Sequence, residues 1–114
     1  MNIEEKAKKI DGLLSHVWMV RTFLKHSEEA EEDDELNEVF RTLYDYMLAL
    51  GGPMNDGDYE KYLKMAKKKL RKLKNTTALY LEIQPEISSH TNFQMAAQSL
   101  KLSVDQIVEI FEGD

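Results

Sequence analysis

Apolar residues recur at alternating steps of four and three along most of this chain, and that spacing places them on one face of an α-helix. The first such stretch contains Ile3, Ala7, Ile10, Leu14, Val17 and Leu24. A second contains Leu36, Phe40, Leu43, Met47 and Leu50. The 114 residues include only five Gly and two Pro, the residues that most often break helices. Long uninterrupted segments remain, and we expect them to be helical. The sequence therefore predicts an all-α protein.

Capping and breaking residues predict where these helices begin and end. The acidic run 28–35 is predicted to connect the first two helices, because its like charges repel and it lacks apolar anchors. Gly51, Gly52 and Pro53 are predicted to stop helix two, Asp58 to cap helix three, and Asn75-Thr76-Thr77 to mark a second break. The predicted helices are 3–27, 36–50, 59–74 and 78–83, followed by two short helices. We therefore expect an antiparallel three-helix bundle, residues 1–74, with a small helical corner, residues 77–114, in a single domain.

The composition favours a soluble domain of a reducing compartment. The chain has a net charge of -6, is 42% hydrophobic and contains no Cys, which excludes disulfides and thiol catalysis. The first nine residues are charged, and we find neither a secretion signal nor a segment that spans a membrane. We expect a cytoplasmic protein.

Segment 91–111 resembles the Fis-type helix-turn-helix. The family pattern is an Ala pair, an apolar pair around a tight turn and a Ser-capped recognition helix, which correspond here to Ala96-Ala97, Leu100 with Leu102, and Ser103. Two capping boxes, Thr91 with Gln94 and Ser103 with Gln106, fit two helix starts. The resemblance implies a helix that enters the major groove of DNA, and Lys101 stands where family members usually carry Gly.

The charge distribution disfavours that DNA-binding role. From Asn75 onward the chain has one Lys and six acidic residues, and a carboxylate beside a phosphate releases no counterion. Eight Lys or Arg residues lie instead between Lys61 and Lys74. Their helix, with Lys61, Lys64 and Lys68 as candidate contacts, could meet anionic lipid, RNA or a protein partner, or could simply be solvated.

Arg21 stands at a position where the first helix otherwise carries apolar residues. If Arg21 is interior, a carboxylate must meet it, with Glu38 and Asp45 as candidates; otherwise its guanidinium extends to solvent from the edge of the stripe. Arg21 and His26 also resemble the Arg-x4-His signature of HEPN-domain ribonucleases. That resemblance implies that Arg21 clamps phosphate and that His26 acts as acid and base.

An apolar surface beside the main stripe predicts contact with protein. Trp18, Met19 and Phe23 form a candidate patch for a partner or for self-association. His16, His26 and His90 are far apart, so we expect no metal site and no cofactor. The leading hypothesis is a non-enzymatic protein-interaction module; the alternatives are a nucleic-acid-associated regulator and a HEPN-like ribonuclease.

Overall fold

The computed structural model describes residues 1–113, which form five α-helices and one short 3-10 helix, with no strand in that range. The helices are α1 (Ile3–Lys25), α2 (Asp34–Asn55), α3 (Tyr59–Lys68), α4 (Leu70–Ile87) and α5 (Thr91–Glu112). The prediction of an all-α bundle is confirmed.

Four of the helices form a ring of neighbours, in which α1 packs beside α2 and α5, and α4 packs beside α2 and α5. Neighbours run antiparallel, as Trp18 of α1 lies near Tyr44 of α2 and Phe23 of α1 lies against Phe93 of α5. Helix α3 packs against α1 and α2, at the end of the bundle where Tyr62 reaches Asp11. The apolar stripes therefore meet in one core, and α5 is a full member of it.

The connection between α1 and α2 is shorter and more ordered than the acidic run suggests. Glu28–Glu31 form the 3-10 helix, Ala30 is buried, and Asp33 caps α2 by accepting a hydrogen bond from the Leu36 amide. The side chain of Asn37 donates to the carbonyls of Ala30 and Asp33. These bonds satisfy the backbone of the turn, so its charges point outward and α2 starts at Asp34.

The predicted stop at Gly51, Gly52 and Pro53 is wrong, because α2 continues through all three to Asn55. Pro53 is buried in the last turn, where its fixed φ angle is compatible with a helix. The stop occurs at Gly57, which has φ +67°. Its amide donates to the Met54 carbonyl and the next amide, of Asp58, donates to the Pro53 carbonyl, which is a Schellman motif.

The second predicted break is also displaced. Residues 75–77 lie inside α4, and the chain bends at Lys69, between α3 and α4. Thr77 is buried because its hydroxyl donates to the Leu73 carbonyl four residues earlier, which satisfies it without leaving the helix. The proposed division into 1–74 and 77–114 therefore falls within a continuous helix.

Helix α5 has no turn near Lys101, contrary to the corner predicted there, and is continuous over 22 residues. The hydroxyl of Ser103 donates to the Ser99 carbonyl, so Ser103 is a buried interior residue and caps no helix. His90 caps α5, with Nδ1 accepting from the Asn92 amide. Apolar positions on both sides of Lys101 pack into the same core, and this burial favours one straight helix.

Within residues 1–113, no helix is both long enough and apolar enough to cross a bilayer.

Candidate interaction surface

Arg21 lies over the faces of two neighbouring aromatic rings on the side of α1 that faces α2. Its Cζ atom lies 4.8 Å from the centre of the Trp18 ring and 4.6 Å from that of Tyr44. The two rings are 6.1 Å apart and inclined at 41°. A guanidinium over an aromatic face is attracted by the ring quadrupole, and the contact gains strength as water is excluded. The Arg21 guanidinium therefore contacts an aromatic ring of α1 and one of α2 at the same time.

The carboxylate partner expected for an interior Arg21 is absent from residues 1–113, and Arg21 is only partly buried. Glu38 and Asp45, the expected carboxylate partners, are exposed, and no ion pair to Arg21 occurs among residues 1–113. The Nη1 atom lies 3.5 Å from the Thr22 hydroxyl, and the buried Nε atom has no hydrogen-bond partner in the described chain. The aromatic faces take the place that a carboxylate was expected to fill.

A groove of about 400 Å³ runs along the seam of α1 and α2 beside this stack. We call it the α1/α2 groove; it is lined by Asp11, Leu14, Ser15, Trp18, Tyr44, Met47, Leu48 and Gly51. Trp18 is 44% exposed and Leu48 is 63% exposed. Large apolar side chains at the edge of a concave surface are typical of protein contact sites.

The sequence prediction missed the half of this groove that α2 contributes. Tyr44, Leu48 and Gly51 follow one another at steps of four and three, so they form a second stripe beside the buried one. That spacing was the available signal. It could not by itself reveal that the second stripe lies next to Trp18, because the pairing of α1 with α2 is a tertiary contact.

The three members of the predicted apolar patch, Trp18, Met19 and Phe23, do not share one surface. Met19 is 66% exposed, whereas Phe23 is half-buried. The Phe23 ring meets that of Phe93 edge to face, with centres 4.9 Å apart. Phe23 therefore helps to close the seam between α1 and α5, and Trp18 alone of the three lines the groove.

A second surface, the basic face, comprises the eight Lys and Arg residues from Lys61 to Lys74, all exposed. Lys61, Lys64 and Lys68 line a shallow depression on α3 together with Asp58, Glu60 and Met65. Within residues 1–113, no acidic group forms an ion pair with any of the eight. Tyr62 and Ala66, the apolar side of α3, are completely buried, so this face presents charge and little apolar surface.

Arg21 and His26 do not converge on a cleft. His26 is exposed at the end of α1, where its Nδ1 lies 2.9 Å from the Thr22 carbonyl. Arg21 lies against the rings of Trp18 and Tyr44 on the side of the α1/α2 groove. Five residues along a helix rotate a side chain by about 140°, so the two groups point in different directions.

Three tyrosine hydroxyls serve the packing of the bundle. Tyr46 donates to the Ala66 carbonyl, Tyr80 to the Phe93 carbonyl and Tyr62 to the Asp11 carboxylate. Burial raises the pKa of each of these tyrosines well above its usual value. They remain protonated donors at any physiological pH. No group of three His, Asp or Glu side chains in positions 1–113 could hold a metal ion.

Comparisons with models of protein families, with curated proteins and with solved structures found no significant match to this chain.

Proposed function

We propose that this protein is a non-enzymatic interaction module that binds protein through the α1/α2 groove. The observation that carries the proposal is Trp18, whose indole ring contacts the Arg21 guanidinium and is 44% exposed at the edge of an apolar groove. Trp and Arg are the residue types most enriched among the energetically dominant contacts of protein interfaces. A side chain that is already ordered loses little entropy when a partner covers it.

The groove suits a helix or an apolar side chain of the partner better than an extended peptide. Leu14, Met47 and Leu48 supply an apolar floor and rim, and the walls are two antiparallel helices. Such a surface is typical of helix-in-groove recognition. Asp11 at one end and Arg21 at the other provide charges that would set the partner's orientation.

The test compares two double variants, each of which replaces two large, exposed apolar side chains with Ala. Trp18→Ala with Leu48→Ala should abolish capture of a partner, whereas Met95→Ala with Leu102→Ala, at exposed positions of α5, should leave it intact. A captured protein is then purified and titrated against the parent chain. Trp18 is the only Trp, so its emission should shift to shorter wavelength as it is covered. Equal capture by both double variants would refute the groove as the binding site.

A second candidate function, association with nucleic acid, is favoured by the basic face. Eight exposed cations with no acidic partner in residues 1–113 would release counterions on meeting phosphate. Replacing Lys61, Lys64 and Lys68 with Gln should then lower the slope of log affinity against log salt by roughly two to three. The matched control replaces Lys9, Lys25 and Arg41, which are exposed, lie outside the basic face and carry the same total charge. Affinity that does not change with salt rejects this candidate.

A further inference from the structure

We infer that the partner of the α1/α2 groove is a second copy of this chain, bound antiparallel about a two-fold axis. This inference rests on the proposed function and names its partner. It is carried by the charges, shapes and register of the groove, which are complementary to those of the same groove turned end to end.

The charges supply the first argument. Asp11 lies at one end of the groove, and Arg21 lies beyond the Trp18 and Tyr44 rings at the other. Ten helical residues place them about 15 Å apart along α1. A two-fold axis perpendicular to α1 at position 16 sets Asp11 opposite Arg21 of the second copy, and the same contact repeats on the other side. Both pairs are attractive, as an isologous interface requires.

The shapes supply the second argument. With the axis at position 16, Trp18 lies opposite Leu14 of the second copy, next to the small residue Ser15. The Ser15 hydroxyl already donates to the Gly12 carbonyl at 2.6 Å, so covering it leaves no unmet donor. Gly51 is level with Asp11 and so lies opposite Arg21 of the second copy, and a Cβ added at Gly51 would meet nothing within 4 Å, so this end has room for the Arg21 side chain. The bulky end of each copy therefore fits the open end of the other.

The register between α1 and α2 supplies the third argument. Trp18 lies level with Tyr44, and Leu14 lies level with Leu48, because the helices are antiparallel. The same axis thus sets Tyr44 opposite Leu48 of the second copy. Leu48, 63% exposed in a single chain, is then covered by an aromatic ring, and both helices of the groove gain an apolar contact at once.

The experiment is sedimentation equilibrium with complementary charge variants. Asp11→Lys places a cation opposite Arg21, and Arg21→Glu places an anion opposite Asp11, so each variant alone should be monomeric. An equimolar mixture restores both attractive pairs and should sediment at twice the monomer mass. Arg71→Glu, the same charge change on α4, is the control and should behave as the parent does.

The outcomes are distinct. A parent that stays monomeric at high concentration overturns the inference, and groove-dependent capture of another protein would then leave the proposed function standing. A parent dimer that neither Trp18→Ala nor the charge variants weaken also overturns it. If a charge variant fails to fold, the parent's Trp18 emission decides: it should shift to shorter wavelength as concentration rises, and a constant emission refutes the contact.

Discussion

The bend between α3 and α4 gives the sharpest stability prediction, through the hydroxyl of Tyr46. Tyr46 of α2 is 3% exposed, and its hydroxyl donates at 2.9 Å to the carbonyl of Ala66, in the last turn of α3. The last four carbonyls of a helix have no partner within that helix. The Lys69 amide donates to the Met65 carbonyl, and Tyr46 serves the next carbonyl along. Tyr46→Phe should therefore leave a buried acceptor unmet.

Tyr80→Phe is the matched control. Tyr80 is completely buried and its hydroxyl donates at 3.0 Å to the carbonyl of Phe93. Phe93 lies in the first turn of α5, where the carbonyl also accepts from the amide four residues later. Removing this hydroxyl deletes one hydrogen bond but orphans no backbone group.

The two losses should therefore differ in size. An orphaned buried acceptor costs about 1–3 kcal/mol, whereas a lost net hydrogen bond costs about 0.5–1.5 kcal/mol. Ala66 does not line the cavity of about 40 Å³ beside Tyr46, so we take the middle of the range for an orphaned acceptor. We expect a loss of about 2 kcal/mol for Tyr46→Phe and about 1 kcal/mol or less for Tyr80→Phe.

Urea unfolding of both variants, followed by helical circular dichroism, measures the difference. With a slope of about 1–2 kcal/mol per molar urea, the Tyr46 variant should unfold about 1 M earlier than the parent. Hydrogen exchange should also become faster at the bend around Lys69. Equal losses for the two variants, or a larger loss for Tyr80→Phe, would show that Tyr46 does not support the bend.

Three further predictions concern alkaline stability, glycine positions and the Arg21 stack. Because burial raises the pKa of Tyr46, Tyr62 and Tyr80 in the folded state, these tyrosines should add no pH dependence to the stability below about pH 10, where unfolded tyrosine ionises, and the stability should fall as pH rises further. Tyr62→Phe should make that alkaline fall shallower in pH-dependent urea titrations, and an unchanged slope would contradict the assignment. Gly57→Ala should lower the free energy of unfolding by about 1–2 kcal/mol, because Gly57 has a positive φ. Gly12→Ala, at an open position of α1, should raise it by about 0.5–1 kcal/mol. Thermal melts in which both variants shift the melting temperature in the same direction would refute this. Arg21→Met should keep the packing but remove the cation, so the anisotropy of Trp18 fluorescence should decay faster than in the parent. An unchanged decay would mean that packing, and not charge, restricts the Trp18 ring.

The sequence by itself determined the helical class and most of the core. The apolar residues that recur at steps of four and three in α1, from Ala7 to Leu24, are buried. A helix with one apolar face is stable in water only when that face packs against the core. The cap at Asp58 could also be predicted, since a carboxylate at a helix start accepts a hydrogen bond from a backbone amide of the first turn.

Only the tertiary structure decided which of the helix-breaking residues in the sequence actually end a helix. Pro53 and Thr77 stay helical because they are buried in the core, and Lys69 ends a helix although no Gly or Pro marks it. The local preferences of such residues amount to about 1–3 kcal/mol, which burial of neighbouring side chains equals or exceeds. Likewise, the sequence shows Arg21 only as a charged residue in an apolar stripe. Its contact with the Tyr44 ring exists because α2 packs beside α1. The periodicity of a sequence indicates which face of a helix is buried. It does not indicate which residues of a neighbouring helix contact that face, because those contacts depend on how the helices pack.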